Sequence, residues 1–283
     1  MRETKIRLAT LQEIPPWDWP DGTREMLLDV LRDDRSSESD LLLAAELAGD
    51  STVVDDELVG ALLSILRSGD RPENLRATTA IALGPILELA DIDGFDEAGD
   101  LPLSHSISES TFRAIQATMR ELYLDADTPK EVRRRILEGS VRAPLDWHAD
   151  AIRAAYASDD NLWRLTAVFC MQFVRGFDGQ ILEALRSDDP EIHYYAVVAA
   201  GNWEVDPAWE HVADIVTSDD VDKDLLIAAI HAAVGIRPEE AVPLLADLSD
   251  SDDEDIAEAV HEAFAMTGLL SEFDDPDDED PFD

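Results

Sequence analysis

Cysteine, lysine and long apolar runs are nearly absent from this chain of 283 residues. The single cysteine, Cys170, has no second cysteine with which to close a disulfide, and its place inside an apolar helical run reads as a small core side chain rather than a nucleophile. The longest nearly apolar run, residues 225–236, is 12 residues long with a histidine inside it, too short to cross a bilayer. Residues 1–20 contain no apolar core of signal-peptide length. The expectation is a soluble, cytoplasmic protein with no membrane contact. Also missing are GxxxxGK followed by Ser or Thr, GxGxxG after a strand, and GxSxG. The common phosphate loops, dinucleotide sites and serine-hydrolase elbows are thereby excluded.

Positive charge is scarce. Only 22 Lys and Arg stand against 64 Asp and Glu, a net charge of −42, and just three of the bases are lysines (Lys5, Lys130 and Lys223). Phosphate binding needs clustered bases, so the balance argues against naked nucleic acid as a partner. A polyanion mimic would also be acidic. Here the acids spread over the whole chain, which favours adaptation to concentrated salt, where self-repulsion is screened.

What the chain does have is a recurring helical phrase. GTREMLLDVLRDD and SESDLLLAAELAGD read as one amphipathic pair, VVDDELVGALLSILRSGD and RPENLRATTAIALG as the next, with stops at Gly49 and Gly84. Residues 91–107 break the rhythm as an acidic, Gly- and Pro-containing insertion. Beyond them the first buried positions of the second helices align without gaps at Val132, Leu162, Ile192, Leu226 and Ile256, in steps of 30, 30, 34 and 30. These positions, with Ile136 and Ala196, are expected to be buried between layers. No stretch shows the period-two alternation of a strand. The fold class implied is all-α, an α-solenoid of about seven antiparallel hairpins, each burying its apolar face only by stacking on its neighbours. The domain plan is an irregular cap over 1–20, the solenoid over 21–267 and an acidic disordered tail over 268–283.

The stretch DDPEIHYYAVVAAG, 188–201, resembles the second-helix pattern of HEAT repeats, an acid and Pro followed by spaced small residues and a closing Gly. The period of about 30 is similar to the short, phycobilisome-lyase-type subclass. Arg133 to Arg135 and Trp163 depart from the pattern. The resemblance implies the fold; the family itself spans scaffolds, transport factors, lyases and a few enzymes. HEAT-like deoxyhypusine hydroxylases bind iron through paired His-Glu motifs, whereas this chain has one such pair, His261-Glu262. His231 and His261 share a column with Leu137, Ala167 and Val197, which reads as packing, and His148 and His193 have no second ligand at helical or loop spacing. No catalytic residue, metal or cofactor is therefore assigned.

One constellation stands apart. Lys130, Arg133, Arg134, Arg135 and Arg142 put five bases into 13 residues. On a helix, Arg134, Arg135 and Arg142 face away from the expected core. In the aligned repeats Arg134 matches Arg164 and Tyr194, Arg135 matches Leu165 and Tyr195, and Arg142 matches Gln172 and Asn202. The second helices of HEAT solenoids line the concave side, so Arg134, Arg135, Arg142, Arg164, Gln172, Tyr194, Tyr195 and Asn202 form a candidate binding ladder. The competing reading is that these arginines only neutralise nearby acids. The functional expectation is a non-enzymatic interaction scaffold that holds a protein partner through an acidic or phosphorylated segment. The alternative is a HEAT-like enzyme or ligand carrier, bilin-lyase-like or nucleic-acid-modifying.

Overall fold

A computed structural model describes residues 8–50, 52–95, 107–218 and 220–267. These contain fifteen α-helices and no strand. The acidic tail of 268–283 and most of the insertion lie outside the described residues.

The chain divides into two units, Met1–Ala151 and Ile152–Asp283. In the first, α1 (Leu8–Leu11) and a 3-10 turn (Pro16–Asp18) precede three hairpins. These are α2 (Thr23–Arg32) with α3 (Glu38–Leu47), α4 (Asp56–Arg67) with α5 (Glu73–Asp93), and α6 (Glu109–Leu124) with α7 (Lys130–Ser140). First helices pack on first helices (α2, α4, α6) and second on second (α3, α5, α7), giving two helical layers. Helix α8 (Trp147–Tyr156) carries the unit boundary. The second unit continues with α9 (Asn161–Cys170), α10 (Asp178–Ala184), α11 (Pro190–Asn202), α12 (Trp209–Val216), α13 (Lys223–Ile236), α14 (Pro238–Leu245) and α15 (Glu254–Thr267). There α9, α11, α13 and α15 stack in one layer. Antiparallel helical hairpins stacked on their neighbours within each unit make this a HEAT-like repeat fold.

Register is set at each helix start. The second helices are capped by Ser37, Pro72, Pro129, Asp160, Asp189 and Asp222, and the Asp253 carboxylate accepts the Asp255 N–H to start α15. Counted from these caps, the seventh residue is fully buried every time: Ala44, Thr79, Ile136, Ala167, Ala196, Ala229 and Val260. The eleventh is buried as well, from Ala48 and Leu83 to Ala233 and Phe264. The local device is a Ser-Asp-Asp turn. Ser158, Ser187 and Ser251 Oγ accept the N–H of Asp160, Asp189 and Asp253 at 3.2 Å, and the aspartate then caps the helix. A fourth copy begins at Ser218, where Val221 and Asp222 extend the turn and move the cap to Asp222.

This corrects the gapless alignment. From Pro129 the caps at 160, 189, 222 and 253 follow at steps of 31, 29, 33 and 31. The column through Val132, Leu162, Ile192, Leu226 and Ile256 therefore slips by one residue at Leu162 and again at Leu226, and one residue is a 100° rotation. Leu162, the second residue of α9, is 53% exposed rather than buried. Leu226 and Ile256 are half-buried, while Val132, Ile136, Ile192 and Ala196 are buried as expected.

A second correction concerns α5. The expected stop at Gly84 does not occur; the helix runs through Pro85 to Asp93, so 91–93 belong to a helix and not to the insertion. Gly84 serves close packing instead. A Cβ there would lie 2.9 Å from Arg142 Cδ and 3.2 Å from Gly139 Cα. Gly139 in turn lets α7 approach α5, since a Cβ on it would sit 2.3 Å from the Ala80 carbonyl oxygen.

Candidate functional site

Helix α5 is apolar on two faces. Leu75, Thr79, Leu83 and Leu87 are fully buried between the layers. The opposite stripe, Thr78, Ile81, Pro85, Leu89 and Ile92, lines a cavity of about 700 Å³. The N-terminal segment partly covers this stripe, leaving Pro85 and Ile92 at its rim exposed. Leu11, Ile14, Pro16 and Trp19 lie over α5 and the end of α3, and the Trp19 indole N–H is held by the Leu11 and Ile14 carbonyls at 3.0 and 3.3 Å. Leu47, Val54 and Ile107 complete the apolar wall. Gly49 brings α3 against α5, because a Cβ there would meet the Ala82 carbonyl oxygen at 2.7 Å. Pro85 has no N–H to donate within its helix and turns its ring toward this space. The irregular cap expected over 1–20 thus has a hollow interior beneath Trp19, and the sequence signal for it is the stripe 78, 81, 85, 89, 92.

The ionisable groups on this lining are all acids: Glu46, Asp50, Glu88 and Asp93. Glu88 is ion-paired with Arg142.

The expected ladder divides. Arg134 is 4% exposed rather than outward-facing, and its guanidinium grips Glu131 with two hydrogen bonds of 2.6 and 2.8 Å. Arg135 bonds Glu131 and both oxygens of Glu138 at 2.9–3.0 Å. The Arg134 guanidinium, first of all, holds the Glu131 carboxyl below its ordinary range. Arg164 is one helical position away from the column of Tyr194 when both are counted from their caps. It bonds the Tyr156 hydroxyl at 3.3 Å and Glu183 at 2.9 Å, and it does not join Gln172, Tyr194 and Asn202. Those three do come together, along one groove of the second unit with Trp203 and His231 over a floor of Gly201, Ala228 and Gly235. Asn202 Nδ2 donates to the Gln172 carbonyl at 3.3 Å, Trp203 Nε1 to that of Met171 at 2.5 Å, and Arg175 lies 4.6 Å above the Trp203 ring. Tyr195 packs edge-on against Phe169 and Tyr194.

Among the described residues, His148, His193, His211 and His261 lie within hydrogen-bond distance of protein groups. His261 Nδ1 lies 2.8 Å from the Ala257 carbonyl within its own helix. His193 does have a partner that sequence spacing did not show: His211 on α12, Nε2 to Nε2 at 2.7 Å, with burial lowering the pKa of both. Among the described residues no three His, Cys, Asp or Glu side chains gather as metal ligands would. The paired iron site of the hydroxylases does not fit these residues.

No protein-family model matches the chain, and no curated protein matches it. Among solved structures it is similar to human deoxyhypusine hydroxylase in complex with glycerol, at 14% identity over 92% of this chain and 88% of that one, with a TM-score of 0.39. That protein is an enzyme by name, whereas the expectation here was a non-enzymatic interaction scaffold; the comparison lends that expectation no support, and it is not carried forward.

Proposed function

We propose that the chain is a ligand carrier whose first unit holds an apolar small molecule against α5. The cavity of about 700 Å³ supports this reading. It falls within the size range of small-molecule sites, roughly 300–1,000 Å³, and like them it is mostly apolar with a few polar groups at the edge. Burying a ligand there compensates for an apolar helix face that the fold leaves lined but unfilled. The short-repeat subclass, adaptation to concentrated salt and cytoplasmic residence belong to the same proposal. They are supported by the repeat length near 30 and the charge of −42. The single cysteine also suits a reducing compartment.

The test is titration with diphenylhexatriene, a neutral apolar fluorophore, followed by its emission. One saturable site per chain is expected. Leu89→Trp, which fills the cavity, should abolish it while the melting temperature stays within a few degrees. Saturable binding that survives in a folded Leu89→Trp protein would overturn the reading.

A further inference from the structure

We infer that the cavity of the first unit selects ligands with an apolar body and a cationic head, such as an alkyl- or arylammonium, and rejects carboxylates and phosphates. This rests on the carrier reading and adds the charge of the ligand.

Three features of the cavity carry it. The first is the lining, where every ionisable side chain among the described residues is an acid. Among the described residues only Glu88 has an arginine, Arg142, as ion-pair partner, and Arg142 is not itself on the wall. Glu46, Asp50 and Asp93 therefore set the sign of the field.

The second is independent of side-chain charge. Helices α3 and α5 both end at this cavity, with Leu47 and Asp50 at one end and Ile92 and Asp93 at the other. A helix C-terminus carries partial negative charge on its last carbonyls, an effect confined to the final turn and favourable to cations. Two such ends add to the three carboxylates.

The third is the wall material. The Trp19 indole is fixed by its hydrogen bonds to Leu11 and Ile14, and an indole face attracts an ammonium group. An anionic head would lose water and gain no donor from a basic side chain on this wall. An ammonium head gains carboxylates, carbonyl ends and an aromatic face together.

General acidity of the protein predicts a similar preference at low salt, so the test is run in 2 M KCl, where the Debye length falls below about 3 Å. Three probes share one fluorophore: diphenylhexatriene, its trimethylammonium derivative and its propionate derivative. The expected result is at least tenfold tighter binding of the trimethylammonium probe than of the propionate. In the double variant Glu46→Gln, Asp50→Asn that ratio should fall below threefold. Equal affinities for the two charged probes, with the neutral probe bound, would overturn the selectivity and leave the carrier reading standing. A ratio unchanged in the folded double variant would also overturn it. Failure of all three probes to bind would overturn the carrier reading itself.

Discussion

His148 shows how one buried residue sets a pH dependence. It is 1% exposed. Nδ1 lies 2.8 Å from the Leu145 nitrogen and 3.1 Å from the Leu145 carbonyl oxygen, and Nε2 lies 3.0 Å from Ser140 Oγ. Burial has the larger influence and lowers the pKa to about 4 from 6.5, against the Leu145 backbone contact, which raises it. The unfolded chain takes up this proton near pH 6.5 and the folded chain does not until about pH 4. Stability is therefore fully present above 6.5, declines through that window, and is lower by roughly 3 kcal/mol below it. The His148 ring signals in a proton NMR titration should stay at their neutral positions at pH 5; a midpoint near 6.5 would refute this. In the sequence His148 stood out only as a histidine without a ligand partner. Its role depends on Ser140 and Leu145 closing around it, which no helical spacing predicts. The arginines were legible in kind, as bases set among acids. Their geometry was not, because Arg134 turns along its own helix to Glu131.

Helices were legible because their apolar spacing is strong, and their faces were not where the count started at the wrong residue. Leu162 looks like the first core position of α9, yet Asp160 caps that helix by accepting the Leu162 N–H at 3.0 Å. Leu162 is then too early in the turn to reach the core. The cap residue is the anchor the alignment needed. Asp189→Ala removes the acceptor for the Glu191 and Ile192 N–H groups and should cost about 1 kcal/mol, read as a lowered urea midpoint with unchanged slope. An unaltered midpoint would mean that tertiary packing alone fixes the register. The continuation of α5 past Gly84 was not legible for a different reason. Gly84-Pro85 is a stop signal in isolation, but the cavity side of α5 tolerates a carbonyl without an intrahelical donor, so the helix continues.

Across the molecule the dominant quantity is −42 charges on 283 residues. The ion pairs that offset it are mostly partly exposed, such as Arg24 with Glu57 at 2.9 Å and Arg237 with Asp206 at 2.8 Å. Pairs of this kind contribute about 0–1 kcal/mol each, so screening them loses little, whereas screening the acids relieves repulsion everywhere. The melting temperature should rise between 0.05 and 2 M KCl; a flat or falling trend would remove the high-salt reading. The charge itself was legible in the composition from the start. The cavity was not, because it arises from an irregular segment meeting a helix face some sixty residues further on. That same arrangement has a consequence for synthesis. Every described residue on the cavity wall lies between Leu11 and Ile107. On a ribosome the whole wall is therefore translated before the first codon of the second unit is read. With elongation at roughly 5–20 residues per second, the nascent chain carries those walls for several seconds while its later hairpins do not yet exist. Under the carrier reading proposed above, a cargo molecule would meet its berth while the protein is still being made.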